Sequence, residues 1–282
     1  ILKYVILEFS IILLIKMNSL YKIDDFRFEI SFKNFEQLRL KLAFYINNNI
    51  QKINIPCKGN IKNKFLLQSI QICRREFPSI KLIPHFSIQH EFDINKDTTN
   101  KKLINFLKLS NRLECEDVLL VSGSLRRAKI DAVSALIYLK HKTAIIQENI
   151  KIGVAYNPYM NDFLSVEELR RLKSKLSSGF VSSIWIQFGT NYRELDRKIL
   201  KLKMILINHY QANPKSNKIQ LYGSVLIPSR LFISQFKFRP WKGVYCSESF
   251  LNSLDYANDI IAKILLIYKD HGIIPIIETD TS

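Results

Sequence analysis

Paired cysteines are absent from this 282-residue chain. Its four cysteines, Cys57, Cys73, Cys115 and Cys246, stand far apart with no CxxC pair. That spacing argues against a zinc ribbon and a disulfide framework, and points to free thiols in a reducing compartment, the cytoplasm or an organelle matrix. A clean apolar run of about 20 residues, the length of a membrane span, is also missing. The opening ILKYVILEFSIILLI comes nearest, but Lys3 and Glu8 interrupt it. No GxGxxG follows the first strand candidate, so a Rossmann dinucleotide site is unsupported. No serine stands in a nucleophile elbow, which argues against triad hydrolysis. His85 and His90, five residues apart on an extended segment, point to opposite faces and do not form a metal pair, so no metal site is expected.

Acidic residues are scarce relative to basic ones: 25 Asp and Glu against 42 Lys and Arg, a formal charge of +17. A basic surface attracts nucleic acid, anionic lipid or phosphorylated ligands. The cations are nevertheless spread over the whole chain among many Ile and Asn, as a compositional bias would leave them. RNP-like aromatics, zinc-finger spacings and basic helices are lacking, so no specific nucleic-acid partner is expected. At 47% hydrophobic and 24% charged, the chain is neither disordered nor a bundle of membrane spans.

Residues 1–20 read as an apolar extension, either a buried first element or translation upstream of Met17, with a signal anchor as the alternative. From residue 21 to 282 no Gly/Pro/Ser linker divides the chain, so one domain is expected.

The most informative stretch is Asp117–Lys140, DVLLVSGSLRRAKIDAVSALIYLK. Val118–Val121 is apolar and β-prone, about the length of a buried strand. Ser122-Gly123-Ser124 breaks it, a basic loop with Arg126, Arg127 and Lys129 follows, and Ala132, Leu136 and Leu139 then mark a helix face. A strand, a glycine turn and an amphipathic helix make one β/α unit, and turn N–H groups beside three cations could hold a phosphate. An ordinary connection with solvated charges explains the stretch equally well.

The unit recurs. Strands are predicted at Phe26–Ile30, Lys52–Pro56, Ile80–Pro84, Val118–Val121, Lys151–Tyr156, Ser183–Gln187, Ile219–Ile227 and, most weakly, Trp241–Cys246. Helices are predicted between and after them, one of them over Val166–Leu176 with Ser165 as N-cap and Glu168 completing a capping box. Eight β/α units in about 250 residues match a single (β/α)8 TIM barrel, an α/β fold, with an open doubly wound sheet as the alternative.

In a barrel the chemistry sits at the C-terminal strand ends. The polar residues predicted there are Glu29, His85, Ser122 with Ser124, Asn157, Gln187 and Ser224. A strand-end carboxylate suits a general acid, and the Gln187 amide offers a planar heterocycle both a donor and an acceptor. Each also has a plain structural explanation: a surface residue for Glu29, a core histidine for His85, a capped carbonyl for Gln187.

Glutamate at the first strand end, histidine after the third, glycine after the fourth and glutamine at the sixth occur in an order similar to that of the methylenetetrahydrofolate reductase family. FRFEIS resembles that family's SFEFFPP segment, IPHFSI its histidine-led strand end, VAYNPY its VAxYPE segment, LRRLKSKLSSG its LKxKVDAG segment, and IQF its TQ-Phe segment. VSGS stands where the family has RGD. The resemblance runs from about Phe26 to Glu278.

It implies a TIM barrel that binds FAD non-covalently and passes a hydride from NAD(P)H to methylenetetrahydrofolate or a related folate. Glu29 matches the family's catalytic acid and Gln187 its folate-binding glutamine. His85, Gly123, Ala132, Glu168 and Lys175 match FAD-contacting positions. Ser124 lies in the same FAD-binding segment, and Arg126, Arg127, Lys129 and Lys175 are candidates for the FAD phosphates. The chain departs from the pattern in several places. Ser122 and Ser124 replace the arginine and aspartate of RGD, Asp131 stands where the family has a flavin-contacting tyrosine, and the double proline is absent. Gly179 to Gln187 is one residue longer than the family spacing. The segment from Arg230 to Ala257 has no close counterpart, and no second, C-terminal regulatory domain is expected. A redox-inactive barrel serving as a binding or regulatory subunit is therefore the alternative function. A homo-oligomer is left open.

Overall fold

The computed structural model describes residues 21–58, 61–91, 95–122, 130–142, 150–241 and 243–278. The N-terminal extension lies outside them. Eight parallel strands pair in sequence order and close on themselves, β1 joining β8. They are β1 Arg27–Glu29, β2 Lys52–Ile55, β3 Lys81–Ser87, β4 Val118–Val121, β5 Ile152–Tyr156, β6 Val181–Ile186, β7 Gln220–Leu226 and β8 Ile274–Glu278. The expected TIM barrel is the observed fold.

The helices that cover the barrel are α1 Phe35–Asn47, α2 Asn63–Glu76, α3 Ile88–Glu91, α4 Lys96–Arg112, α5 Ala132–His141, α6 Asp162–Leu176, α7 Tyr192–Ala212, α8 Arg230–Phe238, α9 Glu248–Asn252 and α10 Leu254–His271. Side chains alternate across each strand and divide the apolar residues in two. One strand face joins the helices in the main core, where Phe28, Leu120, Ile184 and Ile186 are buried. The other fills the barrel with a separate, smaller cluster: Ile83, Leu119, Trp185, Tyr222 and Ile276. Gly153 of β5 makes room for it. A Cβ there would lie 2.5 Å from Trp185 Nε1, so the indole occupies space that any other residue would close.

Two expectations are corrected. The eighth strand is Ile274–Glu278, which follows the last helix, and not Trp241–Cys246. Among the described residues of the latter segment only Tyr245 makes a bridge, to Gly189. Trp241 packs its ring on Phe232 and Phe236 of α8, at 5.3 and 6.2 Å, so its hydrophobicity serves a helix. The α6 helix begins three residues before the predicted N-cap. Asn161 accepts from Leu164 N, and Ser165 is buried inside the helix, where its Oγ accepts from Lys198 of α7. An asparagine just before the helix supplied the cap first, and the later serine was free to bond a neighbouring helix.

Among the described residues no helix is long and apolar enough to cross a membrane. The four cysteines are unpaired.

Candidate active site at the barrel mouth

Because every strand runs the same way, residues at the C-terminal strand ends gather at one mouth. Glu29 ends β1 and shares its interior face with Arg27, while Phe28 between them points into the main core. Its register partners are Asn54 on β2 and Glu278 on β8. Lys58, just beyond β2, donates to Glu29 Oε1 at 2.9 Å. His85 Nε2 on β3 stands 3.9 Å from Oε2, and its ring meets Trp185 edge-on at 5.5 Å.

The charge states follow from this packing. Burial works against the Glu29 carboxylate, but the attraction of Lys58 and His85 outweighs it, and the group titrates below the usual carboxylate range. Burial pushes His85 down to about 4, with Glu29 opposing and Lys58 and Arg27 assisting. The imidazole is neutral at pH 7, and its buried Nε2 has no hydrogen-bond partner among the described residues. Burial and the neighbouring Glu29 push Glu278 up to about 7, against the pull of Lys58 and a hydrogen bond with Ser224.

Gln187 lies one residue past β6 at this same end, and its N–H donates to Tyr156 O. Glu29 and Gln187 thus stand at C-terminal strand ends, whereas His85, expected after the third strand, lies within β3 two residues before its end, and Ser224 lies within β7 two residues before its end. Asn157 ties loops together: its N–H donates to Glu168, its side-chain amide to Gly243 O, and its Oδ1 accepts from Tyr159 N. Ser122 Oγ accepts from Ala132 N at the start of α5.

The positions tied to FAD by resemblance divide into three groups. His85 is in the mouth. Ala132, Glu168 and Lys175 stand on α5 and α6 beside the ends of β4 and β5. Lys175 is buried, donates to Ala155 O at 2.7 Å and lies 4.0 Å from Glu168. Burial lowers its pKa while Glu168 opposes the shift. Nearby, Arg171 pairs with Asp131 at 2.7 Å. Gly123, Ser124 and Arg126, with Arg127 and Lys129, lie outside the described residues.

Sequence reasoning missed Glu278, which became visible only once Ile274–Glu278 was seen to be a strand. It also missed the polar network that plugs the opposite end. There Arg27, 1% exposed, donates to Ile53 O, Asn54 Oδ1 and Lys81 O and pairs with Glu116. Its guanidinium lies 5.6 Å from the Tyr222 ring centroid. Asp117 accepts from the hydroxyls of Ser182 and Ser183. Ser183 in turn accepts from Trp185 Nε1. The alternation of β1 already put Arg27 inside, and that was the available signal.

No protein-family profile matches the chain, and no curated protein matches it. Solved structures do. An uncharacterized protein from Clostridium thermocellum, described as binding two copies of 5-methyl-5,6,7,8-tetrahydrofolic acid, is similar over 95% of this chain and 93% of its own, with TM-score 0.55 and 11% identity. A β-1,3-glucanosyltransferase from Rhizomucor miehei, an active-site mutant in complex with laminaritriose, is similar over 90% and 86%, with TM-score 0.51 and 9% identity. At these identities the likeness shows the fold alone. The chain is a TIM barrel.

Proposed function

We propose that the mouth binds a reduced folate and that the protein is an enzyme of one-carbon folate chemistry, reducing methylenetetrahydrofolate with FAD and NAD(P)H. One observation carries the reading: a buried, Lys58-paired Glu29 carboxylate stands beside the unpartnered Nε2 of His85, at the same barrel end as Gln187. A carboxylate accepts two parallel N–H bonds, and an amide presents a donor with an acceptor, which together suit the edge of a pterin ring. The folate bound by the similarly folded C. thermocellum protein supports the same ligand class, by analogy of fold.

The residues fit FAD in kind. His85 leaves a buried nitrogen to bond a ring edge, and Glu168 and Lys175 bring a carboxylate and an ammonium to the β5 end. Bound there, the flavin supplies hydride transfer, and the protein positions it. Glu29 orients the substrate and stabilises positive charge that develops on it. As the acid implied by resemblance it would first have to take up a proton, since Lys58 holds it ionised.

Titration with 5-methyltetrahydrofolate tests the reading, with quenching of Trp185 fluorescence as the signal and a Trp241→Phe variant removing the other indole. Saturable binding is expected, together with the yellow colour of bound FAD. Glu29→Gln should keep flavin binding and flavin reduction by NAD(P)H but lose folate turnover. Absence of folate binding up to about 1 mM, a free energy of only about −4 kcal/mol, refutes the reading. One observation favours a redox-inactive folate binder as the second reading: Ser122, where the resembled family has arginine, has its hydroxyl engaged by Ala132 N. Colourless protein that binds folate but refuses added FAD would select it.

A further inference from the structure

We propose that the outer face of α8, with the turn that follows it, docks this protein on a bilayer surface rich in anionic headgroups. The inference is independent of what the mouth binds.

Charge along the chain is uneven in this region. From Arg197 to Ser247 the sequence holds ten Lys and Arg and no Asp or Glu. Arg230, Lys237 and Arg239 belong to α8 and its end, and Lys242, outside the described residues, follows them in sequence.

The helix is apolar on two sides. Phe232 and Phe236, one turn apart, are 0% and 4% exposed, and they account for its packing on the barrel. Positions 230, 231, 234, 237 and 238 fall on the opposite side, because residues three, four and seven apart share a helix face. All five are exposed. Such a stripe is ordinarily polar, yet Leu231 is 61% and Phe238 92% exposed, and Trp241 beyond the helix end is 37% exposed. Single exposed apolar residues are common on protein surfaces. Here two of them align seven apart, each next to a cation of the same stripe, Arg230 or Lys237, and Arg239 follows Phe238. Lys237 donates to Asn252 Oδ1 at 3.4 Å, a neutral partner.

Apolar anchors ringed by cations match an anionic bilayer. The rings enter the boundary between headgroups and chains, while arginine and lysine meet the phosphates and carboxylates above it. Other occupants fit less well. A second copy of this chain carries the same +17 charge, and a symmetric contact through this face would bring like charges together. A groove of about 580 Å3 lies nearby, but its walls include Phe236, Val244, Leu251 and the Glu248 side chain and not Phe238, so a peptide seated in it leaves the most exposed ring in water. Nucleic acid would use the cations and stack on aromatic faces, but it gains little from the aliphatic Leu231. A bilayer yields to a convex surface and takes up Leu231, Phe238 and Trp241 together.

Co-sedimentation with vesicles tests this on the whole protein at about 0.15 M salt. Binding is expected to phosphatidylcholine vesicles containing about a third phosphatidylserine, and not to phosphatidylcholine alone. Emission from Trp241 should move to shorter wavelength on binding, while Trp185, 5% exposed inside the barrel, stays unchanged. Phe238→Ser should weaken partitioning at least ~10-fold, the scale of burying one aromatic ring. Lys237→Gln and Arg239→Gln should each weaken it about 5-fold. These side chains lie on the surface, so their loss leaves the core intact, which far-ultraviolet circular dichroism checks. Lys215→Gln combined with Lys218→Gln, before β7 at the opposite barrel end, removes as much charge and should change binding less than about 2-fold. Equal loss in the two lysine–arginine and lysine–lysine pairs, or binding indifferent to Phe238→Ser, would reduce the effect to diffuse net charge and overturn the proposal. Absence of binding to the phosphatidylserine vesicles overturns it as well, and so does Phe238-dependent self-association or retention on single-stranded RNA in place of vesicle binding.

Discussion

Replacing Arg27 with methionine should remove the plug at the closed end of the barrel and lower stability by about 3–4 kcal/mol. The guanidinium serves three neutral acceptors at 3.0–3.2 Å, namely Ile53 O, Asn54 Oδ1 and Lys81 O. Each hydrogen bond contributes about 1 kcal/mol net, and a buried acceptor stripped of its donor costs at least as much. Glu116 loses its ion partner, but its side chain is 39% exposed, so water takes over and that loss adds little. Methionine keeps much of the apolar contact with Tyr222, which holds the total near the lower end for breaking a buried pair. Against a typical total of about 5–15 kcal/mol, this is a large share. With a urea slope near 3 kcal/mol/M, suited to a large domain, the denaturation midpoint should fall by about 1 M at an unchanged slope. Arg27→Lys, which keeps the charge but not the planar fork, should fall between. A midpoint shift under about 0.3 M in Arg27→Met would refute the account of Arg27 as the central tie of the barrel floor.

Gly223→Ala should destabilise by about 3 kcal/mol, because a Cβ at that position lies 2.3–2.7 Å from the Tyr268 ring. That ring is fully buried and has no room to retreat. Thermal unfolding should move down by about 5–10 °C, and an unchanged midpoint would mean that β7 shifts freely against α10. Asp117 makes a prediction about pH. Burial lifts its carboxyl from the ordinary 3.8 to about 6, against the pull of Ser183, Ser182, Val118 N and Arg27. Between those values the folded state binds more protons than the unfolded one, so this group's contribution to stability falls as pH rises from about 4 to 6 and is level above. At about 1.4 kcal/mol per pH unit the loss is about 3 kcal/mol. Denaturation of the unaltered protein and of Asp117→Asn across this range should show their stability difference moving by that amount, and a pH-independent difference would remove Asp117 from the account.

Local pattern was enough for much of this protein. Short apolar or alternating runs interleaved with helical periodicity identified seven of the eight strands and the helices that separate them, because burial on both faces of a parallel sheet writes itself into a short stretch of chain. The alternation of Arg27, Phe28 and Glu29 marked the two faces of β1, and the direction shared by all strands put Glu29, His85 and Gln187 at one end. The eighth strand escaped because five residues with a proline among them carry little periodic signal, while the aromatic Trp241 segment mimicked a strand that closure never needed.

Closure settled the rest. Glu29 and Glu278 come from opposite ends of the chain and become neighbours only when β1 pairs with β8. No local pattern contains that contact, nor the charge states that depend on it. The same holds for Arg27 with Glu116 and for Asp117 with Ser182 and Ser183, whose partners lie on other strands. The chain's order of residues determines which elements form and which way each side chain faces. Which polar groups share a dry interior, and hence which of them hold a charge, is decided by the closed ring of strands, because the field at each group is summed over neighbours that only the tertiary fold assembles.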